Sequence, residues 1–214
     1  MKLLTLLLCL LALHVQAQDG PAAAQVNGVA ISQLRLERYF ADYLQAQGRA
    51  LTSIRNPSVY KRLREQALND LIDKELLWQE AQRQGISVGD DEVQAQIEQL
   101  RQALGNAKPF EQRLADAGFD RDSFADYIRH ELAAQQVFMQ ASQVPEPAAA
   151  EVRAFYLANA DALAQVQNQT VAGSVENEQG MELAKRLLVD QQQSQARLAL
   201  LQRLRDAGQV QRLD

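Results

Sequence analysis

The residues able to carry chemistry are few, and their spacing offers little. The chain holds two histidines and one cysteine. His14 and Cys9 fall in an apolar leader, so beyond it His130 is the single imidazole and there is no thiol. Nucleophilic catalysis needs a nucleophile with a base beside it. Zinc ligation needs several histidines or cysteines at set spacings. Neither pattern occurs, and neither does a glycine-rich phosphate loop. The close acid pairs are Asp90–Asp91 and Asp70/Asp73. The first reads as negative charge at a helix start, the second as a solvated helix face. His130 lies between Arg129 and Glu131 in a helical stretch and reads as a solvated position. No catalytic, metal-binding or cofactor-binding residue is assigned, and no cofactor is expected.

What remains is apolar recognition. Most aromatic residues fall at core spacing. Phe138 and Met139 are adjacent on one predicted helix, so both cannot face the same core. A flexible thioether also suits a surface that accepts varied partners. Together with Phe110 they are the candidate peptide-binding residues.

These side chains need a helical frame, and the chain supplies its signals in order. Asn27-Gly28 between short apolar pieces predicts a two-residue hairpin. Ser32 caps a helix with Leu36, Phe40, Tyr43 and Leu44 on its buried face, ended by Gly48. Asn56-Pro57 opens a long helix that runs to Gln84. Its apolar stripe includes Leu68, Leu71, Ile72, Leu76, Leu77 and Ala81. Gly85-Ile86 predicts a Schellman closure, and Asp90, Asp91 and Glu92 crowd the next first turn. Gly105-Asn106 predicts a turn, Pro109 starts a short helix with Phe110 and Leu114, and Gly118-Phe119 closes it. Asp120 caps the helix that carries Phe124, Tyr127, Ile128, Leu132 and Phe138, and Pro145 and Pro147 break it. A short helix with Val152, Phe155 and Tyr156 follows. Residues 165–180 are polar and read as a loop. Met181 to Asp206 is helical, and Gln209–Leu213 alternates as a last strand. A lone strand cannot satisfy its backbone, so it must pair with the opening hairpin.

Composition fits this frame. Abundant alanine and glutamine with sparse glycine favour helix. The net charge is −5, which argues against a nucleic-acid partner. Residues 1–17 read as a secretory signal peptide, with Met1-Lys2, an apolar run from Leu3 to Leu13, and cleavage after Ala17. The run is shorter than the roughly 20 residues of a spanning helix, so no stable membrane anchor is expected. Leu-Leu-Leu before Cys9 is unlike a lipoprotein site, which needs small residues there. A cysteine-free exported chain points to a Gram-negative periplasm.

The run Leu71-Ile72-Asp73-Lys74-Glu75-Leu76-Leu77, then Ala81 to Val88, then acids and Val93 resembles the N-terminal module of SurA-type periplasmic chaperones, shared with the PrsA and PpiD foldases. Gln25–Ser32 resembles that family's opening hairpin and Glu151–Asn159 its short helix before the isomerase domain. The resemblance implies a mainly α fold: a SurA-type helical chaperone module closed by a small β-sheet that pairs the N- and C-terminal segments. The expected organisation is a signal peptide over 1–17, a helical chaperone region over 18–164, a polar loop over 165–180, and a helix and strand over 181–214 that complete the same domain. Relatives carry a parvulin domain of about a hundred residues where this chain has the loop. With one histidine and no thiol beyond the leader, the chain argues against an isomerase. The expected function is an ATP-independent holdase for unfolded exported proteins, outer-membrane β-barrel clients above all. A degenerate peptidyl-prolyl isomerase and an assembly adaptor with one fixed partner are the alternatives. The sequence carries no sign of its oligomeric state.

Overall fold

The computed structural model describes residues 20–104, 109–166 and 178–213. Among these are three strands and eight α-helices, and the chain divides into two units. One holds the N-terminal residues to Ile72 and the C-terminal Gln209–Asp214; the other holds Asp73–Gly208.

The first unit is built on strands β1 (Ala22–Val26), β2 (Val29–Ser32) and β3 (Val210–Arg212), in the order β2-β1-β3 and antiparallel throughout. Asn27 and Gly28 both take positive φ, +51° and +85°, the requirement of a two-residue type I′ turn. Val26 pairs with Val29 on one side and with Val210 on the other. The Asn27 side chain also ties the chain ends together, because its Oδ1 accepts the Gln209 N–H at 2.7 Å. Leu213 N–H closes the pairing on Ala23 O at 2.9 Å. The expected sheet of both termini is present.

Helix α1 (Gln33–Ala46) begins where Ser32 Oγ accepts the Arg35 N–H at 3.2 Å, satisfying a donor that a helix start leaves open. Its fully buried side chains are Leu36, Phe40 and Leu44. After a 3-10 turn at Leu51–Ser53, α2 (Pro57–Arg83) starts with Asn56 Oδ1 accepting from Ser58 N–H at 2.9 Å. Phe40 meets Tyr60 edge-on at 5.3 Å, and Arg64 reaches back to Glu37 at 2.8 Å. Leu63, Ala67, Leu68, Leu71 and Ile72 are buried.

In the second unit α2 ends as the sequence predicts. Gly85 takes φ +69° and Ile86 N–H returns to Ala81 O at 2.9 Å, the long bond of a Schellman closure. Helices α3 (Asp90–Leu104), α4 (Phe110–Asp116), α5 (Arg121–Ala141), α6 (Ala149–Ala158), α7 (Ala160–Val166) and α8 (Glu178–Ala207) follow. Asp120 and Ser123 form a reciprocal capping box at the start of α5. One apolar core gathers Leu77, Ala81, Val88, Val93, Ile128, Val137 and Leu200. A second holds Val152, Leu163 and Ala184.

Two details differ from the expected elements. Strand β1 starts at Ala22, three residues before the predicted segment, because pairing on both sides overrides the helix preference of alanine; a register shift at Ala22/Ala24 buries both Ala23 and Ala24. Helix α7 was not expected, and its Leu163 is buried in the second core. α7 and α8 occupy the two ends of the stretch 165–180. Its middle, like the Gly105-Asn106 turn and the leader, lies outside the described residues.

Removing residues 209–214 strips β1 of three register pairs and the bonds at Asn27 and Ala23. At about 1 kcal/mol net per bond, the melting temperature should fall by roughly 5–10 °C. Thermal denaturation followed by circular dichroism checks this; an unchanged midpoint would show that the sheet does not depend on the C-terminal strand.

Candidate functional site

The carboxylates that could in principle do proton chemistry are held in structural pairs. Glu75 and Glu80 are the buried acids on α2. Glu80 accepts from Arg83 Nε at 2.7 Å and Nη2 at 2.6 Å, and from Gln84 Nε2 at 2.5 Å. The Arg83 hydrogen bonds hold the Glu80 carboxyl below the usual range against the opposing effect of burial, so it stays ionised near neutral pH and is no proton donor there. Glu75 accepts from Gln79 at 2.9 Å. Asp73 takes the Arg205 fork at 2.6 and 2.5 Å, Lys74 pairs with Glu131, and Arg129 bridges Asp90 and Asp126 at 2.8 and 2.6 Å. His130 is exposed and lies flat on Trp78, ring centres 3.8 Å apart. Among the described residues no cluster of three or more histidine, cysteine or acidic side chains could hold a metal ion, and no helix is long and apolar enough to cross a membrane.

The apolar candidates lie differently from one another. Val137 is buried in the core, which turns Met139 outward on the same turn of α5. Phe138 is half-buried, packing partly on that core, and Met139 is 52% exposed. Both line an open groove of about 680 Å³, within the usual range of ligand clefts. Ser142, Gln143 and Val144 continue it beyond the helix end, and α8 contributes Gln193 and Arg197. The end of α5 is fixed locally: Ser142 donates its N–H to Phe138 O at 3.0 Å and its hydroxyl to the same oxygen at 2.8 Å. Pro145 and Pro147 then prevent the helix from resuming. Phe110 is elsewhere, half-buried and edge-on to Phe124 at 5.8 Å, in an aromatic group with Phe119 and Tyr127.

Sequence reasoning did not find Gln135, Ser142, Gln143, Val144, Gln193 or Arg197. Gln193 belongs to the run Gln191–Gln193, which reads as an exposed helix face; in the structure only Gln191 is exposed, and Gln192 and Gln193 are half-buried. Nothing in the local pattern marks Arg197, which meets Ser142 only because α8 packs against α5.

The SurA-like N-terminal domain family matches residues 2–138. The chain belongs to this family. The match ends at Phe138, so most of the groove lies beyond it. No curated protein matches the chain. Among solved structures the fold is similar to a chain from a study of Campylobacter jejuni that describes the virulence factor PEB4 and the periplasmic protein Cj1289 as two structurally related SurA-like chaperones. The TM-score is 0.55 at 13% identity, over 91% of this chain and 99% of that one. At that identity the likeness is one of fold: a mainly helical SurA-type module with a small antiparallel sheet.

The Glu80 arrangement makes a pH-dependent contribution to stability. A depressed carboxyl pKa stabilises the fold above the ordinary glutamate range, and that stabilisation is lost as pH falls through the folded value. Glu80→Gln should therefore cost about 1 kcal/mol at pH 7, and the gap to the unchanged protein should narrow as pH falls below the ordinary glutamate range. Urea melts at pH 7 and over a descending acidic series check it; a gap that does not change with pH would show that the charge is immaterial.

Proposed function

We propose that the protein is an ATP-independent holdase of the periplasm that shields unfolded exported chains, including outer-membrane β-barrel proteins. The observation that carries the reading is the groove at the end of α5, where an exposed Met139 and a half-buried Phe138 face solvent beside α8. Family membership supports it. Exposed methionine adapts its shape to varied apolar side chains, and barrel strands in transit expose alternating apolar and aromatic residues. Phe110, though outside this groove, remains a proposed second contact for such residues. The leader read from residues 1–17 supplies the route of export, and intact-mass measurement of the periplasmic protein should show cleavage after Ala17.

The test is light scattering of a urea-denatured barrel protein diluted into buffer without nucleotide. Molar excess of the protein should delay aggregation severalfold. Phe138→Ala with Met139→Ala should weaken client binding about tenfold, or ~1.4 kcal/mol, with the helical circular dichroism signal retained. If no barrel client is protected, the holdase reading gives way to an adaptor, and crosslinking should then recover one partner at fixed stoichiometry. A double variant that loses its helical signal would instead place both side chains in the core.

A further inference from the structure

The groove contains one cation that meets no anion among the described residues. Arg197 is half-buried, and among the described residues its guanidinium hydrogen-bonds only hydroxyl groups: Ser142 Oγ at 3.5 Å and Ser194 Oγ at 3.3 Å. Five other arginines of the same unit are matched with acids, whereas Arg113, Arg186 and Arg203, like Arg197, form no ion pair with the described residues. Arg83 holds Glu80, Arg101 holds Glu98, Arg121 holds Glu111, Arg129 holds Asp90, and Arg205 holds Asp73. Among the described residues no acid lines the groove. In a chain of net charge −5, acids are plentiful enough that their absence here is a local property.

A second observation concerns hydrogen bonding. The side-chain amides of Gln135, Gln143 and Gln193 line the same groove and make no hydrogen bond to the described residues. A glutamine amide offers two donors and an acceptor, which matches the N–H and C=O of an extended backbone. Guanidinium offers a planar fork that takes a carboxylate at two points. Phe138, Met139 and Val144 supply the apolar floor.

The geometry points to a substrate class: the groove binds extended apolar segments that carry an acidic side chain, and Arg197 reads that carboxylate. This rests on the holdase reading and narrows it. An internal acidic side chain is the source rather than a chain end. Terminal carboxylates are captured by nests of backbone N–H groups, whereas the N–H groups at the end of α5 are turned back onto Phe138, Met139 and Gln140 carbonyls. Arg197 has a competing use, since a cation beside the last carbonyls of a helix is favourable in itself, and the experiment separates the two.

Three labelled peptides share one apolar sequence: one with a central Asp and an amidated end, one with Asn in its place, and one with Asn and a free terminal carboxylate. Their binding to the intact protein is followed by anisotropy. The Asp peptide should bind about three- to tenfold tighter than the amidated Asn peptide, and the ratio should shrink with salt. Arg197→Gln should bring the ratio to one; Arg197→Lys, which keeps the charge but loses the fork, should retain part of it and serves if the glutamine variant is poorly folded. An unchanged ratio in Arg197→Gln, with or without a lower melting temperature, overturns the inference and leaves Arg197 as a helix-end cation. A gain for the free terminus alone also overturns it. Equal binding of all three peptides, still weakened by Phe138→Ala with Met139→Ala, overturns it while the holdase stands. No binding of any peptide, together with no protection of barrel clients, removes the holdase reading itself.

Discussion

Strand β1 is the element on which the first unit depends, because it is paired on both edges by segments from opposite ends of the chain. Asn27 and Gln209 are 182 positions apart. Closing a loop of that length costs about 5 kcal/mol in chain entropy, more than the few net kilocalories that the β1–β3 bonds return. The pairing is therefore stable only when the intervening helices have already shortened the distance and when the sheet buries side chains of its own. Ala23, Ala24 and Val26 are fully buried on β1, and Ile31 on β2. Arg212 adds a bond to Asn69 on α2 at 2.6 Å. Non-local pairing of this kind forms late, after local helices.

Much of this frame was legible because local chemistry and tertiary demand agree. Asn27-Gly28, Ser32, Asn56-Pro57, Gly85-Ile86 and Asp120 each act within four or five residues of themselves, and each does in the structure what its type predicts. The last strand was legible by a different route. Its alternation was weak, but an unpaired strand is untenable, and only one hairpin could receive it. What was not legible is where tertiary packing overrides propensity. Ala22–Ala24 favours helix in isolation and is strand here because β2 and β3 flank it. Helix α7 is a single short stretch whose position is set by Leu163 reaching Val152 and Ala184.

The groove shows the same division. Phe138 and Met139 stood out because adjacent helical positions point some 100° apart, so one core cannot take both. That argument selects a side chain but cannot say what faces it. The opposite wall comes from α8, more than fifty residues later, and its members are a glutamine and an arginine among many of each. Only the packing of α8 against α5 distinguishes them: it brings Arg197 to Ser142 at the end of α5 and Gln193 to the same groove. The buried acids would have misled a search based on residue type alone. Glu80 is deeply buried yet fully occupied by Arg83 and Gln84, so its burial serves the end of α2.

A groove of this construction suits binding that must be reversible without an energy source. Phe138 is already half-buried against the core, so only part of its surface remains to be covered by a client. Met139 presents about half its surface, and burying a whole methionine is worth about 1.5–3 kcal/mol. Contacts of that size, less the cost of ordering an extended segment, fall well short of the ~8 kcal/mol of a micromolar complex, so each such contact holds a client weakly. With association at about 10⁵–10⁷ M⁻¹s⁻¹, a client at 10 μM affinity would leave within about a second or less. Deeper burial would hold clients longer but would require work to release them. The partial exposure of Phe138 and Met139 is thus what the proposed holdase would require, a carrier that binds many chains and retains none.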